Sequence, residues 1–381
     1  MSAEILHFPQ GFLWGTASPP LQLAEESVPL KSPGTNAHGV SIEWSRLEPE
    51  EGAWATDVVE HYARVMGSLT DNGIVPFVTL HHSPVPEWLV KSGGWESQRA
   101  AEAFEQHARR AVRSFGKSVR HWLTADAPPS SACHMNVGSA PTPGMRSLKR
   151  DLRVYRNTIW AHARAYHAIH DETEKLGMTA HVGLVRNLRI FDPLRKGSIL
   201  DAFAAGLRDT FLNWHMLNSL RAGVMVYPFG FNKYVPEVEN CFDFVVVNYC
   251  SRQSVRFALG RPLNFFGERT GDAESVGSGF DREIDPDGLY EILASVSRFG
   301  KPVYITENGG AKDSCHERCR LMVLHMKQVY DAIRLGGDVQ GYFLFLSRND
   351  ADSERKLYRR ICAENGLPAD LVRRYCPDAV W

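Results

Sequence analysis

The sequence predicts an α/β fold, a closed (β/α)8 barrel of the TIM type. Three observations predict it. Eight short apolar runs, at 12–16, 39–44, 75–80, 121–124, 181–185, 242–248, 302–306 and 341–346, read as strands buried on both faces. Helical patterns at 56–72, 97–116, 154–176, 199–221, 287–299 and 316–335 separate most of them. The chain has 381 residues, and a single barrel takes about 250 or more. No internal repeat, low-complexity tract or linker composition divides it, so residues 1–381 are expected to form one domain.

Composition excludes several classes of function. The formal net charge is −1 and no basic run dominates, so neither nucleic acid nor a membrane surface is an expected partner. No apolar stretch approaches the roughly 20 residues of a spanning helix. The first ten residues lack a basic start and an apolar core of signal-peptide length, so a cytoplasmic protein is expected. Seven cysteines form no tight framework, which suits a reducing compartment.

Taken in order, the first strand, at 12–16, is followed by an abnormal connection. Between Gln22 and Val40 stand Pro29, Pro33, Gly34 and Gly39, which forbid a proper helix. The barrel is therefore expected to lack the helix between its first two strands. That loss would bare the outer faces of both. A second subunit is the expected cover, giving a homodimer with its interface beside these strands. The stretch 357–381 is the weaker candidate, being broken by Gly366, Pro368 and Pro377. From 39 onward strands and helices alternate regularly, with the helical patterns at 56–72 and 97–116 leading to the strands at 75–80 and 121–124.

The most informative segment is Pro302-Val303-Tyr304-Ile305-Thr306-Glu307-Asn308-Gly309-Gly310. An apolar strand ends there on a carboxylate and breaks into glycines. Barrel active sites sit at the C-terminal ends of strands. A lone histidine is more often a satisfied core residue, but His82 and Gln22 also follow strand ends, which favours a functional reading of both. Cys315-His316-x-x-Cys319 offers three metal ligands in one helical turn, but structural zinc takes four and no second pair has matching spacing. No metal and no cofactor is expected. The run Glu354–Arg360 reads as a helix with one solvated basic face.

Several segments together resemble glycoside hydrolase family 1, the retaining β-glycosidases. Phe8-Pro9-Gln10-Gly11-Phe12-Leu13-Trp14-Gly15-Thr16-Ala17 is similar to that family's opening F-P-x-G-F-L-W-G-T-A. Ser41-Ile42-Glu43-Trp44-Ser45-Arg46 resembles S-I-S-W-S-R, and Thr79-Leu80-His81-His82 resembles T-L-Y-H. Asp243 to Tyr249 resembles D-F-L-G-I-N-Y, Pro286-Asp287-Gly288-Leu289-Tyr290 resembles P-E-G-L-Y, and Ile305 to Gly309 matches I-T-E-N-G. The resemblance implies a nucleophile at Glu307 and sugar contacts from Gln22, His82, Asn248, Tyr249 and Asp352.

The departures are as telling. Where the family carries T-F-N-E-P, with its acid/base glutamate, this chain reads Thr124-Ala125-Asp126-Ala127-Pro128. Ala127 cannot transfer a proton, and Asp126 replaces the asparagine that binds the sugar 2-hydroxyl. The nucleophile-orienting tyrosine is Cys250, and the arginine that accompanies the nucleophile falls at Gly39. The tryptophan beside the sugar-binding histidine is Ser83. In the last sugar-binding segment the glutamate becomes Asp352 and the platform tryptophan Ser353. Three readings stay open on these residues. The chain acts on a glycoside, by hydrolysis or transglycosylation, through Glu307. Or Asp126 and Glu307 perform other acid/base chemistry on a different small molecule. Or the barrel binds without catalysis, either a small molecule such as a glycoside or polyol, or a protein.

Overall fold

A computed structural model describes residues 5–17, 34–82, 84–125, 148–226, 232–261, 265–269, 285–308, 315–345 and 352–375. Eight parallel strands close on themselves: β2 (Leu13–Ala17), β3 (Ala37–Ser41), β4 (Val75–Thr79), β5 (His121–Leu123), β6 (His181–Pro193), β7 (Phe244–Phe257), β9 (Val303–Asn308) and β10 (Val339–Phe345). Neighbours in sequence are neighbours in the barrel, and β10 pairs with β2 to close it. All eight expected strands are present. β1 (Ile5–His7), β8 (Gly267–Arg269) and β11 (Gly366–Pro368) lie outside the ring. The helices are α1 (Trp44–Leu47), α2 (Thr56–Asp71), α3 (Glu87–Lys91), α4 (Arg99–Phe115), α5 (Leu148–Lys175), α6 (Ile199–Arg208), α7 (His215–Ala222), α8 (Pro286–Val296), α9 (Cys315–Arg334), α10 (Asp352–Glu364) and α11 (Ala369–Tyr375).

Strand alternation sorts the side chains into two layers. Phe77, Phe244, Tyr304 and Phe343 point inward and plug the barrel as an aromatic cluster. Ring centroids are 4.9 Å apart for Phe77 and Phe343, 5.0 Å for Phe77 and Tyr304, and 5.2 Å for Phe244 and Tyr304. Two glycines make room. A Cβ at Gly15 would lie 2.1 Å from the Phe343 ring, and one at Gly183 would lie 2.4 Å from the Phe244 ring. The alternate residues, among them Trp14, Val78, Trp122, Val245 and Ile305, are buried beneath the helices. The barrel is thus a packed core, and barrels of this kind work at the rim formed by the C-terminal ends of their strands.

The single helix expected over 199–221 is divided. Between α6 and α7, Asp209–Trp214 form a π-helical turn. The Asp209 carboxylate accepts from Asn213 Nδ2 at 2.7 Å and Trp214 Nε1 at 2.9 Å, which favours the wider turn. Asn213 also clasps the Arg189 backbone from both sides, tying the turn to β6. β6 and β7 run well past their expected ends, and their parallel ladder continues to Pro193 and Val255 beyond the rim. β8 adds to the far end of β7.

The expected bare face is corrected. No helix lies between β2 and β3 among the described residues, yet Trp14, Val40 and Ile42 are buried within the single chain. The C-terminal segment lies across β2. The Tyr358 hydroxyl reaches the carbonyl oxygens of Gly15 and Tyr342 at 2.6 and 2.8 Å. Trp14 Nε1 donates to Asn365 Oδ1 at 2.8 Å. Gly366 and Pro368 do not break this segment. They form β11, antiparallel to Ile5–His7, and a Cβ at Gly366 would lie 2.5 Å from Ile5 Cγ2. The argument for a dimer at this face therefore falls.

Candidate active site

The rim is built where each strand runs out of apolar residues. On β7, inward positions Phe244 and Val246 lead to Asn248, a buried polar residue at the strand's exit. On β6 the same parity leads through Gly183 and Val185 to Asn187, which is registered against Asn248. On β9 the register jumps. Val247 pairs with Ile305, but Asn248 pairs with Glu307, so Thr306 is an extra residue in the ladder. Such a bulge alters which positions of a strand face its neighbours. The Thr306 hydroxyl donates to Asn248 Oδ1 at 2.7 Å. Asn187, Asn248 and Glu307 thus occupy one row across three adjacent strands.

β5 delivers a different device. Thr124 follows its last residue, and the Thr124 hydroxyl lies 2.7 Å from His162 Nδ1 on α5. His162 Nε2 lies 2.5 Å from the Cys241 carbonyl, which can only accept. The proton therefore sits on Nε2, Nδ1 accepts, and Thr124 donates. Burial drives the His162 pKa down to about 4, which keeps the ring neutral and the chain of bonds intact. This fixes the point at which the chain leaves the strand toward Ala125.

Just past β4, His81 turns into an aromatic box with Trp44, Trp95 and Phe104, with ring centroids 5.4–6.4 Å away. Burial, and then its neighbour His82, lower its pKa to about 4. His82 is the next residue out, half-buried. At β3, a Cβ on Gly39 would lie 3.2 Å from the Ala17 Cβ. The position where the family has an arginine is thus packed tightly against β2.

The structure brings the Asn248 and Glu307 positions together and leaves His82 across the rim from them, just past β4, four strands round the ring from β9. It places Tyr249 elsewhere, which corrects the expectation of a sugar contact. Tyr249 has the outward parity of Val245 and Val247, and its hydroxyl donates to Asp285 Oδ2 at 2.8 Å. Asp285 caps α8, and a Cβ at Gly288 would lie 2.1 Å from the Tyr249 hydroxyl oxygen. The Pro286-Asp287-Gly288 segment is therefore shaped to seat Tyr249 outside the barrel. Burial, and then Asp285, raise the Tyr249 pKa, so the phenol stays protonated. Asp352 begins α10. Gln22, Ser83, Asp126 and Ala127 lie outside the described residues, and so does the segment 346–351. Among the described residues no cluster of three or more His, Cys, Asp or Glu side chains could hold a metal ion.

Sequence reasoning passed over Asn187, Thr306 and His162. Asn187 was findable, being the first neutral polar side chain after the apolar run at 182–185. The other two depend on pairings that only the fold creates.

The profile of glycosyl hydrolase family 1 matches residues 22–355. A β-glucosidase A of Thermotoga maritima is 30% identical to this chain over 90% of it and 89% of the relative. A 6-phospho-β-galactosidase of Lacticaseibacillus rhamnosus is 27% identical, over 80% of this chain and 75% of that protein. Among solved structures, a β-glycosidase from Pyrococcus horikoshii superposes with a TM-score of 0.84 at 28% identity, covering 98% of each chain. With its closed barrel, its rim row through Glu307 and a profile spanning most of its length, the chain belongs to glycosyl hydrolase family 1.

Proposed function

We propose that this protein cleaves or transfers β-glycosides through a covalent intermediate on Glu307, and that its substrates have aglycones that depart without full protonation. The observation that carries this reading is the row of Asn187, Asn248 and Glu307, set by the Thr306 bulge. It registers the Glu307 position against two neutral hydrogen-bonding residues at the barrel exit, where a retaining nucleophile would stand.

The sequence supports the second half of the proposal. Ala127 occupies the place of the proton donor and base. General acid/base catalysis contributes roughly 10²–10⁴-fold, so alkyl glycosides should react slower by about that factor. An aryl or acyl leaving group carries its own negative charge and escapes this requirement. Asp126, one residue earlier, is the carboxyl that remains in this segment, and we assign it the residual acid role. Gly39, Cys250 and Ser353 replace larger polar or aromatic groups of the family, so the substrate is held differently from an ordinary glucoside.

Stopped-flow mixing with 2,4-dinitrophenyl β-glucoside tests the proposal. A burst of one phenolate per protein followed by slow turnover is the expected trace, and Glu307→Gln should remove the burst. Turnover of cellobiose at rates ordinary for the family would refute the reading. An unchanged rate in Asp126→Asn would remove Asp126 from it.

A further inference from the structure

Helix α6 is built inside out. Its buried face carries Asp201 and Arg208 beside Ala204 and Ala205, while its exposed face carries Ile199, Leu200, Ala202, Phe203 and Gly206. Ile199 is 86% exposed, Leu200 54% and Phe203 52%. An ordinary surface helix has the reverse pattern, with apolar residues inward and charges in water. The inward charge is held firmly. Asp201 accepts from Arg195 through both carboxylate oxygens at 2.8 Å and from the Phe257 backbone at 2.9 Å. These donors hold its carboxyl below the usual carboxylate range, Arg195 first.

Two more exposed apolar side chains border this face. Leu194 precedes the helix and its backbone donates to the Val255 carbonyl. Leu259, 75% exposed, stands just past β7, whose last residue bonds Asp201. At about 150–200 Å² for a fully exposed large side chain, these five leave roughly 500 Å² of apolar surface bare, the upper end for a monomer. Two such faces placed together would bury about 1,000 Å², where specific protein interfaces begin.

We propose that the exposed face of α6, with Leu194 and Leu259, is the contact through which two copies of this chain form a dimer. The relief of the helix suits its own image. Ile199 and Phe203, one turn apart, form a ridge, and Ala202 and Gly206, also one turn apart, form a shallow groove beside it. A Cβ built at Gly206 meets nothing within 4 Å, so the groove is open. A two-fold axis across α6 seats the ridge of each copy in the groove of the other, as an isologous contact requires. A lipid surface fits less well, because three cations near this face are engaged by carboxylates: Arg195 by Asp201, and Arg256 and Arg261 by Glu268. The contact lies on the ladder that extends β6 and β7, far from β2 and β3, where the sequence had suggested a dimer.

Sedimentation equilibrium on the full chain tests this, independently of any activity. The wild type should tend with rising concentration to twice the chain mass of 42.8 kDa. Phe203→Asp and Ile199→Asp should each sediment as monomers with unchanged circular dichroism. Leu335→Asp, at an exposed leucine at the opposite end of the barrel, just before β10, should stay dimeric. A wild type that is monomeric at high micromolar concentration overturns the proposal, as does a Phe203→Asp dimer. So does a monomer that instead pelts down with phosphatidylglycerol vesicles, which would assign the face to lipid.

Discussion

Glu307 is registered against Asn248 across β7 and β9 because Thr306 is an extra residue in the ladder, and the Thr306 hydroxyl is bonded to the same asparagine at 2.7 Å. The bulge and the strand-end carboxylate are therefore one device. Strand pairing alone would have matched Asn248 with Thr306. The hydroxyl that the bulge displaces holds the side chain beside which Glu307 is registered.

Thr306→Val tests this link. The substitution keeps the branched shape of a strand residue and removes only the donor. One intramolecular hydrogen bond is worth about 1 kcal/mol, so the urea midpoint should fall modestly. The larger effect should fall on the reaction, with a raised KM for an aryl β-glucoside and a reduced burst. An unaltered burst and KM would show that the bulge only terminates the strand.

Small anions provide a second test. If Ala127 leaves water without a base, an anion that needs none should attack the glycosyl-enzyme in its place. Azide should raise steady-state turnover of the dinitrophenyl glucoside about tenfold or more, within the range that base catalysis supplies. The product should be the β-glycosyl azide, of retained configuration. Turnover insensitive to azide would mean that another group already activates water.

Acid should unfold this protein early. His38, His81, His107, His162, His215 and His325 are buried, and burial lowers their pKa values to about 3 or 4. In the unfolded chain each titrates near 6.5. Between about pH 6.5 and 4 the unfolded state therefore binds more protons, and stability present above that window is lost as pH falls through it. Each such proton contributes a slope of about 1.4 kcal/mol per pH unit. Six acting together should bring unfolding above pH 4, before the carboxylate pairs titrate. Urea melts at pH 7, 6 and 5 would show the steepening fall, and a flat profile over that range would contradict it.

The barrel was legible because parallel strands are buried on both faces, so each run such as Val75–Thr79 is apolar throughout. The sequence could not show the Thr306 bulge, since register is a property of two strands and neither names its partner. The Thr124–His162 bond joins residues 38 apart, and its direction depends on a carbonyl at 241. Tyr249 was misplaced for the same reason: a strand's parity at its exit cannot be fixed until one inward residue is known. Helix α6 shows a subtler limit. Its apolar residues have helical spacing, which ordinarily marks a buried stripe, and nothing local reveals that Asp201 takes the inward position.

Asn365 fastens the C-terminal segment to β2 and the residues before it, and replacing it should cost more than its one side chain suggests. It stands just past α10 with φ 45°, the left-handed region that asparagine tolerates better than most residues and that helix ends favour. Its Oδ1 accepts from Trp14 Nε1 at 2.8 Å, its Nδ2 donates to the Phe8 carbonyl at 3.0 Å, and its own carbonyl accepts from the Phe8 amide at 3.0 Å. One residue thus turns the chain out of α10 and fastens the segment before β2. Asn365→Ala loses both side-chain bonds, leaves a buried indole N–H without this partner and strains the turn. A loss of about 2–4 kcal/mol follows from those terms together. Asn365→Gly restores the backbone freedom but not the bonds, and should fall between the two. If alanine and glycine were equally damaging, the turn would carry no strain. If both were harmless, the clasp on Trp14 would not be what holds the C-terminal segment over β2.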